Sequence, residues 1–173
     1  MPVPRPGPAG EEPEGLDPRE FRRVLGHFVT GVAVAAAFDP ALERPCGLTV
    51  NAVASVSLRP PLVLVCVDRA SDSHDGFLRA GSFSLNVLAA EQVQVARRFS
   101  ALDVAEKFRG VGYRKESTGA PVLEGVLAWL DCRTWATYPG GDHTIFVGEV
   151  VAADAREGVP LVYYQGGYGR FVP

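Results

Sequence analysis

Apolar and polar positions along the chain fall mostly into short runs of β type, and only a few stretches repeat at helical spacing. The β-type runs cover residues 29–38, 48–58, 62–67, 83–88, 126–135 and 144–153. Asp39-Pro40, Arg59-Pro60-Pro61, Pro139-Gly140-Gly141 and Gly158-Val159-Pro160 mark turns between them. This spacing predicts a barrel or sandwich rather than repeated βαβ units. Helical stretches are fewer. Phe21, Val24, Leu25 and Phe28 form an i, i+3, i+4, i+7 stripe. Asp17 is placed to cap that helix, Pro18 suits its first turn, and Glu20 can reach back as in a capping box. A short helix is expected near 73–79, and another over about 89–99, where Leu88, Val95, Ala96 and Phe99 share a face. Residues 62–67 are apolar at every position, so both sides of that strand need cover, from the core and from a helix or second subunit. A homodimer is therefore expected.

Composition narrows the class. The 173 residues are 47% hydrophobic and 21% charged, ordinary values for one globular domain, placed here at 16–173. Residues 1–15, MPVPRPGPAGEEPEG, are too polar and proline-rich to bury a core and read as a disordered tail. They also lack the basic-then-apolar order of an export signal, so a cytoplasmic protein with no membrane span is expected. A net charge of -3, with no clustered Lys and Arg, argues against a nucleic-acid partner. Cys46, Cys66 and Cys132 are odd in number and widely spaced, which fits buried thiols in a reducing compartment better than a disulfide framework or zinc ladder. Three scattered histidines supply no metal-ligand spacing, so no metal is expected.

Three segments carry candidate chemistry. In 48–58 the alternation puts Leu48, Val50, Ala52, Ala54, Val56 and Leu58 on one face, and Thr49, Asn51, Ser55 and Ser57 on the other, with Val53 interrupting. The polar face is small and uncharged, which suits either a half-exposed sheet surface or a flat, heteroatom-rich ligand. Ser71 and Ser73, beside Arg69 at the start of a helix, are either N-cap groups or donors to a phosphate. His143 follows Gly140-Gly141-Asp142 at the mouth of an apolar strand, a position for either a structural or a ligand-facing imidazole. The chain has no G-x-G-x-x-G after a strand, no P-loop and no G-x-S-x-G elbow, which argues against a Rossmann dehydrogenase, a kinase or an esterase. Gly166-Gly167-Tyr168-Gly169-Arg170 opens no helix and reads as a flexible C-terminal turn presenting Tyr168.

In order and wording these segments resemble the small flavin reductase-like family, the NAD(P)H:flavin oxidoreductases of two-component flavin-dependent monooxygenases. The resemblance runs from about Phe21 to Phe171 in five blocks. They are Val29-Thr30-Gly31-Val32; Gly47 to Ala52, through Ser55-Val56-Ser57, to Pro60-Pro61-Leu62; Phe83 to Leu88, with Gln92 and Phe99; Gly141-Asp142-His143 with Gly148-Glu149-Val150; and Pro160 to Tyr164 followed by Tyr168. The resemblance implies a mainly β fold, a six-stranded Greek-key split barrel with a few short helices. It implies a homodimer binding FMN or FAD near the subunit interface. The flavin would lie along Thr49, Val50, Asn51, Ala52, Ser55, Val56 and Ser57, near Thr30, with Ser71 and Ser73 near its phosphate and Asn86 and Phe99 packed close by. Ser73 stands where the family usually has threonine. His143 would serve as the nicotinamide-side catalytic residue, with Tyr168 closing the pocket.

The implied reaction moves hydride from NADH or NADPH directly to the flavin, so the protein's task is positioning rather than acid-base chemistry. Reduced flavin would pass to a separate monooxygenase. Two other readings are a flavin carrier that does not reduce its cargo, in which His143 and Tyr168 are incidental, and a purely structural barrel.

Overall fold

The computed structural model describes residues 15–100 and 103–172, so the tail assigned to 1–15 lies outside the described residues except for its last position. Half-apolar runs too short for long helices dictate a mainly β architecture. In chain order the elements are α1 (Pro18–Leu25), β1 (Thr30–Gly31), β2 (Ala33–Asp39), β3 (Arg44–Val50), β4 (Val53–Leu58), β5 (Pro61–Asp68), α2 (His74–Ala80) and β6 (Ser82–Val87). They continue with α3 (Val93–Phe99), α4 (Val104–Lys107), β7 (Tyr113–Lys115), β8 (Pro121–Leu123), β9 (Ala128–Gly140), β10 (His143–Ala155), β11 (Leu161–Tyr164) and β12 (Gly167–Arg170).

The main sheet has seven strands in the order β3-β2-β6-β9-β10-β5-β4, all antiparallel, where six were expected. The extra strand comes from the run 48–58. It breaks at Asn51-Ala52, where Val53 N bonds Asn51 O, and its halves become opposite margins of the sheet. Because two residues join those margins, the sheet must curve back upon itself. The Cys66 N to Ala52 O bond, 3.1 Å, ties the joint to β5. β1, β11 and β12 form a second, three-stranded sheet, and β7 pairs with β8. Gly167–Arg170 is thus a strand and not a flexible turn: Tyr168 pairs with Tyr163 across the ladder.

β2 is buried on both faces, and its alanines let neighbouring layers approach closely. Ala33, Ala35 and Ala37 join Val63, Val65, Val67, Phe83 and Phe146 in one core. Val34 and Ala36 join Leu88, Ala96, Phe99 and Leu161 in another, under α3. α2 closes one end of the first core with Phe77, whose ring meets Phe146 at 5.7 Å and Phe83 at 6.3 Å. The close approach needs Gly76, where a Cβ would fall 2.5 Å from Cys46 Sγ.

Two expectations fail, the capping box of α1 and the inward face of the run 52–58. α1 forms with its Asp17 cap, which accepts from Arg19 N at 2.7 Å, but Glu20 bonds Arg23 and makes no capping box. None of its residues is buried, and the stripe of Phe21, Val24, Leu25 and Phe28 faces outward. Ala52 at the joint and Ala54, Val56 and Leu58 on β4 were placed toward a core, yet all are exposed, Leu58 to 89%. The break at Asn51-Ala52 removes β4 from the layer that β3 packs into, so the alternation of a single strand no longer applies across it.

Candidate active site

Where α1 passes the joint between β3 and β4, the small residues Gly31, Ala52 and Ala54 leave a cavity of about 770 Å³. Thr30, Val50, Asn51, Leu64 and Cys66 line it, with Phe21, Leu25 and Phe28 above. Thr30 Oγ1 accepts from Asn51 Nδ2 at 3.3 Å, so the two polar groups act together. A smaller cavity of about 210 Å³ shares Val50 and Asn51 with the first and adds Thr49, Ser100, Tyr163 and Tyr168. The Tyr163 and Tyr168 rings lie 5.5 Å apart. Burial pushes the Tyr168 phenol above its usual range, with Tyr163 adding to the rise and a hydrogen bond with Ser100 opposing it. Thr49 is anchored by donating to Ala96 O at 2.6 Å. The structure therefore brings Thr30, Thr49, Val50, Asn51, Ala52 and Tyr168 to one cleft. Ser55, Val56 and Ser57 lie beyond the cavity's lining, and Ser57 Oγ accepts from Arg59 N at 3.1 Å.

A second group forms where β5 ends beside the start of β10. Asp68 pairs with His143, and Arg69 N donates to Asp142 O at 3.0 Å, which sets the serine loop against the Gly-Asp-His turn. His143 Nδ1 lies 2.7 Å from Asp142 Oδ1, a hydrogen bond that holds the Asp142 carboxyl below its usual range. In the loop, Ser71 Oγ accepts from Ser73 N at 3.3 Å. Ser73 itself is buried: its hydroxyl donates to Gly47 O at 2.8 Å and accepts from Gly47 N at 3.2 Å. It pins the loop to β3. Asp72 in the same loop pairs with the buried Lys107 at 2.6 Å, which docks α4 there.

β3 joins the two groups, running from Gly47 beneath the serine loop to Asn51 at the cavity, about 13 Å at strand rise. A cleft of this volume falls within the common range for small-molecule sites, and its small-residue wall, single polar edge and distant serine loop match a flat ring with an anionic tail.

Asn86 and Phe99 stand behind this arrangement rather than in it. Asn86 is fully buried: Nδ2 donates to Val34 O at 3.1 Å and Ser84 Oγ at 2.8 Å, and Oδ1 accepts from Leu123 N at 2.8 Å. Phe99 packs edge-on against Phe108 at 4.8 Å. Sequence reasoning missed Tyr163, Leu64 and Cys66 as cavity residues, although the unbroken apolar run 62–67 signalled a strand with two occupied sides. It also missed Lys107, for which no local pattern predicts a buried cation.

The family model for a flavin reductase like domain matches residues 25–171. The FMN reductase (NADH) SmoA of Agrobacterium fabrum is 44% identical over 159 residues, 92% of this chain and 89% of that protein. Among solved structures, a homologue of nitrilotriacetate monooxygenase component B from Mycobacterium thermoresistibile superposes with a TM-score of 0.85 at 36% identity, covering 91% of this chain and 88% of its own. The NADH:FAD oxidoreductase of Streptomyces globisporus C-1027, in complex with NAD and FAD fragments, gives 0.82 at 38%, covering 91% and 94%.

Proposed function

The chain belongs to the flavin reductase-like family, and from that premise we propose that it is an NAD(P)H:flavin oxidoreductase taking hydride from NADH or NADPH to FMN or FAD and supplying reduced flavin to a separate monooxygenase. The observation that carries this reading is the convergence of Thr30, Asn51, Ala52 and Tyr168 on one cleft, with the serine loop against Gly47 of β3 and His143 opposite Asp68 at the end of β5. When bound, the flavin ring supplies the electrophilic centre that accepts hydride. The chain's part is to hold the reactants. Thr30 and Asn51 would hold the ring by its polar edge, Ala52 and Ala54 would give it a flat wall, and Ser71 and the loop amides would hold the phosphate. Ser55, Val56 and Ser57 extend the wall along β4, while Thr49, Ser73, Asn86 and Phe99 fix the elements behind it. His143, half-buried beside Asp142, would orient the nicotinamide, and Tyr168 borders the same cleft.

Counting β3 and β4 as one bent strand leaves six around the sheet, which supports the split-barrel reading. Phe21, Leu25, Val53 and Ala54 border the cleft, and with the exposed Val56 and Leu58 further along β4 they support a homodimer whose partner completes its cover. The three free cysteines suit a cytoplasmic setting.

Purified protein supplied with NADH or NADPH and with FMN or FAD should oxidise the nicotinamide in a flavin-dependent way. Absence of turnover in all four combinations would sink the proposal. His143→Ala should raise the apparent KM for the nicotinamide at least about tenfold more than that for flavin. The reverse pattern would move His143 to the flavin side.

A further inference from the structure

We propose that His74 is a positioning residue that, through Thr144, sets the direction of His143; the inference rests on the reductase reading above. His74 opens α2 and is 7% exposed. Its Nε2 lies 2.8 Å from Thr144 Oγ1, a hydrogen bond spanning 70 positions of sequence. Its ring meets Phe146 edge-on at 6.3 Å. A purely space-filling role at such a place is met by an apolar side chain, because a buried imidazole without a partner carries a desolvation penalty. Here the partner is the residue next to His143.

The consequence follows from strand geometry. Successive side chains on β10 point to opposite faces, so holding Thr144 toward α2 fixes His143 toward the other face. The β5 ladder, with Thr144 opposite Val67 and His143 opposite Asp68, sets the backbone position but not the tilt of this first residue at a strand end. His74 also donates its backbone N–H to Ser71 O at 3.1 Å, closing the turn that presents the serine loop. One residue thus adds a side-chain tie between the candidate phosphate loop and the strand of the candidate nicotinamide histidine, beside the backbone bond from Arg69 N to Asp142 O.

The test is a double-mutant cycle on NADH oxidation at saturating flavin, with His74→Phe, Thr144→Val, the pair together, and His74→Gln, whose amide reaches the place of Nε2. The KM for NADH should rise about five- to tenfold in each of His74→Phe and Thr144→Val, the loss expected for one hydrogen bond. kcat and the flavin Kd, read by fluorescence quenching, should stay within about twofold of wild type, the double variant should be no worse than either single, and His74→Gln should recover most of the loss. Unchanged KM in both singles, additive losses in the double, or no recovery by His74→Gln would each overturn the proposal. Thr144→Val is nearly isosteric and carries the test by itself if His74→Phe fails to fold. Wild type that lacks flavin-dependent NADH oxidation rejects the reductase reading; wild type that turns over beside variants of unaltered KM rejects His74 alone.

Discussion

Asp39 shows how a single buried carboxylate at the end of β2 holds a neighbouring helix. Arg79, in the last turn of α2, donates to it through Nε at 3.1 Å and Nη2 at 2.7 Å, and Ala41 N donates at 2.9 Å. These bonds, Arg79 first, hold the Asp39 carboxyl below its usual range. A depressed native pKa means that folding favours the ionised form. The resulting stability is complete above the ordinary carboxylate range, near pH 4, and is lost as pH falls through the lower native value. Urea unfolding between pH 6 and pH 2 should therefore show wild type losing more stability on acidification than Asp39→Asn, which should itself be about 1–2 kcal/mol less stable at pH 6. Equal slopes would show that the pair contributes nothing to the acid limb. Residues of this kind set what the sequence reveals about a site. Thr49 and Asn51 stood out because alternation and small polar size are local properties, whereas alternation turned Val50 and Ala52 to the opposite face and only the family resemblance marked them. The engagement of Ser73 with Gly47, and of Asn86 with Val34 and Leu123, was not, because each partner lies more than 25 positions away.

At the scale of elements, the small β7–β8 hairpin depends on β6 for its place. Asn86 accepts from Leu123 N, Ser84 Oγ donates to Pro121 O, and on β9 the buried Asp131 accepts from Thr118 N at 2.8 Å just ahead of β8. Removing Asn86 would leave the buried Leu123 amide without a partner, so Asn86→Ala should destabilise the protein by about 2–4 kcal/mol. Hydrogen exchange should show the loss at Leu123 before it reaches Val65 or Val67; uniform loss of protection would mean that the hairpin is no separate unit. The long apolar strands were readable from their pattern, with β5, β6, β9 and β10 within a few residues of expectation. The first half of β3, Arg44-Pro45-Cys46-Gly47, has no β-formers and becomes a strand through pairing with Ala36 to Asp39. β12 was hidden by its glycines for the same reason, since pairing with β11 overrides weak local preference.

In the whole molecule, the three thiols report on different depths. Burial pushes Cys46 and Cys132 up to about 12, with Asp39 and Asp131 respectively adding to the rise; it raises Cys66 as well, but that thiol is only half-buried and lines the larger cavity. Alkylation of native protein near pH 8 should modify Cys66 while sparing Cys46 and Cys132, and saturating FMN or FAD should slow it several-fold. Labelling unaffected by flavin would place the ring elsewhere. The joint at Asn51-Ala52 has a further meaning for how this architecture can vary. The same segment supplies both margins of the sheet, and each half is held in register by its own partner, β3 by β2 and β4 by β5. A residue gained or lost between Val50 and Val53 would therefore fall on the joint itself and cost the Val53 N to Asn51 O and Cys66 N to Ala52 O bonds that close it. Substitution can reshape the wall of the cleft at this seam, while insertions are confined to the outlying connections, such as that between β10 and β11, that lead into neither margin.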